Sequence, residues 1–278
     1  MKKAYSIFLT VVGLLSQHIT VSAKTALLVA HYGSSDMETR EATINKITSD
    51  IQTSFPDIEV REAYISPIVR KNLRDKGISV KSPTEALLQL QVEGYDTVYV
   101  QSTTIIDGQE MAEVKKSVEE VKPFFKFIKT GTSLLYSPED CSQLVDILAN
   151  RKCTKGEVII YVGHGNLLPS TATYTQLDYM FANKGYENFH VSTIEGYPDV
   201  SATINELKEY HDIRKVTLIP LLLVCGNHTK YDIAVDFFKA METAGYEVEV
   251  EMRGLAENQH IRNLYVERVK ELLTPAGY

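Results

Sequence analysis

Short apolar runs alternate along this chain with longer stretches in which apolar residues recur at helical spacing. Thr25–Ala30 reads T-A-L-L-V-A, a continuous apolar run of the kind that forms a strand covered on both faces. Glu38 to Phe55 is predicted as a helix that stops before Pro56, since a residue preceding proline is biased away from helix. Ile58–Tyr64 is a second strand, and Pro67 to Lys76 a helix with Gly77 as its C-cap. Ser82 and Pro83 open a further helix that ends at Gly94, with serine as N-cap and proline in the first turn. Thr97–Gln101, a helix from Glu110 to Val121 and a strand at Phe124–Lys129 complete the first half.

The pattern then restarts. Ser137 caps a helix running to Asn150, and Val158–Val162, Phe189–Ile194, Lys215–Val224 and Glu247–Met252 are strands. Helices are predicted between them at Ser170 to Lys184, Val200 to Tyr210 and Lys230 to Ala244, with a last one from Asn258 to Leu273. Apolar strands alternating with helices imply parallel sheets with helices on both faces. The halves also match in detail: Ile105-Ile106-Asp107-Gly108-Gln109-Glu110 answers Leu223-Val224-Cys225-Gly226-Asn227-His228. The expected architecture is therefore α/β, with two similar doubly wound lobes at 24–136 and 137–278 and a ligand cleft between them.

In the second half three polar residues follow three successive strands: His164, Glu195 and His228. They lie about one strand–helix repeat apart. Parallel strands end on one edge of their sheet, the edge where open α/β folds place ligands. Taken singly, each is an ordinary loop residue. Together, two imidazoles and a carboxylate form a donor set suited to Co²⁺, Fe²⁺, Ni²⁺ or Zn²⁺. Gly163, Gly165, Gly196 and Gly226 flank them, as ordinary tight turns or as gaps that admit a flat ligand. Glu110 is the first-half counterpart of His228 and reads equally as a proton acceptor or as an idle carboxylate in a first helical turn. His31, the counterpart of His164, reads as a plain strand-end residue or as a second ligand or proton carrier. Arg70, Lys71 and Arg74 read as a solvated helix face or as partners for substrate carboxylates.

Val162-Gly163-His164-Gly165, Glu195-Gly196-Tyr197-Pro198-Asp199 and Cys225-Gly226-Asn227-His228 resemble the signature blocks of the anaerobic-type sirohydrochlorin cobaltochelatases, which are class II tetrapyrrole chelatases. Gln101-Ser102 leading to Gly108-Gln109-Glu110, and Gly254-Leu255-Ala256-Glu257-Asn258, extend the similarity over nearly the whole chain after residue 23. The resemblance implies insertion of Co²⁺, or of Fe²⁺ or Ni²⁺, into sirohydrochlorin or a related tetrapyrrole with release of two protons. The ion is a substrate and no organic cofactor is expected. The resemblance makes His164 proton acceptor and metal ligand, with Glu195 and His228 completing the site. The chain departs from the family pattern at Asn227, where Asp is usual, and at Thr104, where His is common.

Composition changes the picture in one respect. With 29 basic and 36 acidic residues, a net charge of −7 and no basic run in the body of the chain, nucleic acid is not an expected partner. The N-terminus is different: Lys2-Lys3, an apolar stretch from Ile7 to Leu15, then Val21-Ser22-Ala23 follow the order of a cleavable secretory signal. The expectation is a signal peptide at 1–23 and a periplasmic protein that is not integral to the membrane. Export keeps a second reading open, an extracytoplasmic metal- or haem-binding protein that retains the chelatase fold without turnover. Homo-oligomerisation is left open. Cys141, Cys153 and Cys225 form no complete disulfide framework; Cys141 and Cys153 read as incidental thiols or as a pair in an oxidising compartment.

Overall fold

The computed structural model describes residues 24–226 and 231–274. The predicted signal segment 1–23 lies outside them. Two four-stranded sheets, each wholly parallel, carry the fold. The first contains β1 (Lys24–His31), β2 (Glu59–Tyr64), β3 (Tyr95–Ser102) and β4 (Phe127–Thr130), in the order β2-β1-β3-β4. The second contains β5 (Glu157–Gly165), β6 (Phe189–Glu195), β7 (Lys215–Pro220) and β8 (Glu247–Val250), in the equivalent order β6-β5-β7-β8. The repeat seen in the sequence is thus a repeat of topology. Each sheet has its switch point at the carboxyl ends of its two central strands.

The helices are α1 (Met37–Ala42), α2 (Ile44–Ser54), α3 (Pro67–Asp75), α4 (Pro83–Val92), α5 (Gln109–Val121), α6 (Pro138–Ala149), α7 (Ala172–Asn183), α8 (Val200–Leu207), α9 (Phe238–Thr243) and α10 (Gln259–Leu273). Three Ser-Pro pairs start helices: Ser66, Ser82 and Ser137 each accept a first-turn amide, and the following proline supplies no donor that would need a partner. The single helix expected from Glu38 to Phe55 is two, because Thr43 leaves helical geometry between α1 and α2. The strand expected to run to Val224 ends at Pro220. Beyond it the Leu222 and Leu223 carbonyls accept from the Leu255 and Ala256 amides, so that apolar run is an irregular segment satisfied by a distant loop. The helix after 230 begins as a π-helical turn over Asp232–Phe237.

One core spans both lobes. Leu27 and Val29 from β1, Ile47 and Ile51 from α2, Tyr161 from β5 and Phe181 from α7 belong to a single buried cluster. The outer faces have separate cores, built on Leu28 and Val100 in one lobe and on Ile160 and Leu218 in the other. Helix α10, last in the chain, packs across onto the first sheet and α2. The fully buried Tyr265 donates to the Thr103 carbonyl at 2.9 Å, and the Arg262 guanidinium bonds Asp50 at 2.7 Å. Arg268 pairs with Asp140 of α6. Cys141 and Cys153 are not joined to each other; burial pushes the Cys141 thiol up to about 11, and Cys153 donates to the Glu157 carbonyl at 3.1 Å. Among the described residues no helix is long and apolar enough to cross a membrane.

Candidate active site

The apolar strand β5 ends in Gly163-His164-Gly165, and both glycines are required by contact. A Cβ on Gly163 would stand 2.2 Å from a ring carbon of Tyr174. Gly165 has φ +75°, and a Cβ there would fall 1.5 Å from the Glu195 carbonyl oxygen. The two strand ends are therefore pressed together beneath His164, which is exposed. Its Nδ1 lies 3.1 Å from the Gly165 carbonyl. A carbonyl oxygen only accepts, so the neutral ring carries its proton on Nδ1 and presents the Nε2 lone pair outward. That is the form needed to ligate a metal or take a proton.

On the neighbouring strand, Glu195 lies level with Gly165 in the register and its carboxylate is exposed. The segment after it is a compact reversal. Gly196, at φ +102°, brings its backbone against Asn166 and Thr171. The Pro198 carbonyl accepts from the Thr193 amide at 2.7 Å and the Thr193 hydroxyl at 2.9 Å. Asp199 caps α8 through the Ala202 amide at 2.7 Å. Most of the Glu-Gly-Tyr-Pro-Asp block thus holds the turn, and Glu195 is the group it displays. β7 pairs with β5 on the side opposite β6. His228, which follows β7, falls within 227–230 and lies outside the described residues. The structure accordingly brings His164 and Glu195 together at adjacent strand ends, and among the described residues no three His, Cys, Asp or Glu side chains form a metal cluster.

The first lobe contributes Glu110, in the first turn of α5, where the helix dipole favours a carboxylate. A Cβ on Gly108 would lie 3.2 Å from the Asn166 side-chain amide and 3.7 Å from a Glu110 carboxylate oxygen, which puts the Glu110 turn against the turn after His164. Burial, and after it the Glu110 charge, pushes the Tyr174 hydroxyl up to about 12. Asn166 and Tyr174 were not singled out from the sequence. Tyr174 reads there as one more apolar helix position, and Asn166 as a turn residue. Exposed apolar side chains follow these strand ends closely in the chain: Leu167 is 91% exposed and Tyr197 60%. Isolated exposed apolar groups are common, but their concentration beside the polar edge suits a flat apolar ligand.

His31 resolves to the strand-end reading. It is fully buried, with Nδ1 3.0 Å from the Thr103 hydroxyl and Nε2 3.1 Å from that of Thr48, and its ring meets Tyr64 edge-on. Burial, then the Arg40 charge, lowers it from 6.5 to about 3. Glu62 stands 3.9 Å from Nε2, but Arg40 lies 3.7 Å from the same carboxylate and offsets it. The unfolded chain binds a proton at His31 below about pH 6.5, whereas the folded chain resists it down to about 3. Stability from this group is complete above pH 6.5 and is lost as pH falls, at about 1.4 kcal/mol per pH unit within that window. Denaturant unfolding at pH 7 and pH 4.5 should show the loss in the wild type and a smaller loss in His31→Asn. Equal losses would contradict it. Arg70, a candidate carboxylate partner, is instead bound to the Tyr64 and Ile65 carbonyls at 2.6 and 2.8 Å, while Lys71 and Arg74 are exposed.

Two parallel sheets of identical order, with imidazole and carboxylate at one carboxyl edge, define a chelatase-type α/β protein. The fold matches SirB from Bacillus subtilis with Fe³⁺, at a TM-score of 0.63 and 12% identity over 90% of this chain and 95% of that one. It also matches the sirohydrochlorin chelatase SirB from B. subtilis subspecies spizizenii in complex with cobalt, at 0.60 and 11%, again over 90% and 95%. More particularly, this chain belongs to the cobalt chelatase (CbiK) family, which it matches over residues 25–274. It is 32% identical to the sirohydrochlorin cobaltochelatase of Salmonella typhimurium, over 91% of this chain and 98% of the relative. It is 27% identical to the sirohydrochlorin cobaltochelatase CbiKC of Nitratidesulfovibrio vulgaris, over 91% and 92%.

Proposed function

We propose that this protein is a sirohydrochlorin cobaltochelatase, a lyase-class metal chelatase that exchanges two pyrrole N–H protons for Co²⁺. The observation that carries the reading is His164: an exposed imidazole whose Nδ1 is tied to the Gly165 carbonyl, beside Glu195 on the next strand. Membership of the cobalt chelatase family supports it.

The reaction is an exchange of ligands: M²⁺ plus the free-base tetrapyrrole gives the metal complex and two protons. It needs no oxidant and no organic cofactor. The protein must hold the macrocycle, deliver a partly desolvated ion and accept the protons. In this reading His164, Glu195 and His228 hold the ion loosely enough to release it. His164 Nε2 takes a proton as its hold on the metal ends, and Glu110 from the opposite lobe accepts or relays the second. The exposed Leu167 and Tyr197 offer apolar surface to the ring.

The basic, apolar, small-residue order of the first 23 residues supports export to the periplasm after cleavage at Ala23. That observation favours the second reading, a binding protein without turnover. An anaerobic assay with the chain beginning at Lys24, sirohydrochlorin and each of Co²⁺, Fe²⁺ and Ni²⁺ separates the two. Loss of the free-base absorption fastest with Co²⁺ is expected. Tetrapyrrole or metal binding without insertion by any ion would replace the enzyme reading with the binding reading. An intact Met1 terminus recovered from cytosol would remove the export proposal and leave the chemistry standing.

A further inference from the structure

The three blocks that frame the site come from different parts of the chain, and one residue meets the other two, with its side chain toward one and its backbone toward the other. Asn166 follows Gly165 in the His164 turn. Its amide oxygen accepts from the Leu168 backbone at 2.7 Å, and its Nδ2 donates to the Ser170 hydroxyl at 3.3 Å. The same Nδ2 lies 3.2 Å from where a Cβ of Gly108 would be, at the start of the Glu110 helix in the opposite lobe. The Asn166 carbonyl oxygen lies 2.9 Å from where a Cβ of Gly196 would be, immediately after Glu195. A side chain at Gly196 would collide with the Asn166 backbone, and one at Gly108 would press on the Asn166 amide by a few tenths of an ångström.

We infer that Asn166 is a positioning residue that sets the spacing between Glu110 on one lobe and His164 with Glu195 on the other. The amide is held from both ends by Leu168 and Ser170, so it is a fixed spacer and not a free rotor. It faces Gly108 across a gap too narrow for an added methyl at ordinary contact distance, so it limits how closely the α5 amino terminus approaches. The Glu110 carboxylate leaves α5 two residues beyond that contact and is carried with it. Misplacement of a reacting group by about 1 Å can cost on the order of 100-fold in rate, so a spacer acting here would govern turnover more than binding. The inference rests on the chelatase reading and on the proton role of Glu110.

A double-mutant cycle tests it. Gly108→Ala inserts a methyl group against the Asn166 amide and should push the lobes apart at this point. We expect kcat for Co²⁺ insertion to fall by about 10-fold or more, with KM for the tetrapyrrole changed by less than about 3-fold. Asn166→Ala should lower kcat by a similar factor. In the double variant the added methyl meets empty space, so its kcat should equal or exceed that of Gly108→Ala and show no product of the two losses. Circular dichroism and thermal unfolding must match the wild type for the comparison to count; if Gly108→Ala fails to fold, Gly108→Ser with and without Asn166→Ala takes its place. Losses that multiply in the double variant, or that appear in KM with kcat unchanged, would overturn the spacer. A wild type that inserts no metal would instead overturn the chelatase reading, so the two failures are distinct.

Discussion

His164→Ala should reduce Co²⁺ insertion by about 10²- to 10⁴-fold, the range associated with loss of a positioned proton acceptor, while the protein remains folded. The two halves of this expectation have different origins. His164 is exposed at a strand end, and among the described residues its ring bonds only the carbonyl of its own neighbour. Removing it opens no cavity and leaves no buried group unsatisfied, so thermal stability should change little. The chemistry loses the outward Nε2 lone pair that the imidazole supplied. Single-turnover insertion measured beside circular dichroism tests both halves. A variant retaining a tenth or more of wild-type activity would remove His164 from the proton transfer, and an unfolded one would reveal a structural role absent from its contacts. His164→Gln, which can accept a hydrogen bond but not a proton near neutrality, should resemble the alanine variant.

Gly165→Ala should be the most damaging single methyl group in the second lobe. Two costs combine there. At φ +75° an alanine occupies the left-handed region, for about 1–2 kcal/mol. Its Cβ would also fall 1.5 Å from the Glu195 backbone oxygen, and a strand backbone locked in a ladder cannot yield as a side chain can. Together these should cost about 3 kcal/mol or more and displace Glu195 from His164, so activity should be lost even where folded protein persists. Gly185 supplies the control: its φ is +81° with nothing within 4 Å of the added atom, so Gly185→Ala should cost only the conformational term. Urea unfolding of both variants separates collision from strain. Equal losses would mean that the strand ends are not in the contact described.

Much of this was legible in one dimension. Alternation of apolar runs with helical periodicity depends on neighbours within a few residues, and it gave the parallel α/β class, the internal repeat and the positions of nearly every element. One error fell where a distant partner satisfies the backbone, and another at a local break within a helix. The run Leu221–Val224 is apolar enough for a strand, yet its carbonyls bond residues 255 and 256. The stretch 38–55 is periodic throughout, yet Thr43 breaks it.

For the site, spacing alone put His164 and Glu195 on one carboxyl edge, because in a parallel sheet successive strands end on the same edge. Residue types supplied the donor chemistry, and motif likeness supplied the family. Only the tertiary structure decided that His31 is a buried core histidine and that Glu110 comes up against the turn after His164. It alone brought Asn166 and Tyr174 into the site, and it alone set α10 across the first sheet. These outcomes depend on which surfaces meet between residues far apart in the chain. A glycine, a tyrosine and an asparagine carry no local mark of the backbone they will touch; the contact exists only once two sheets share one core.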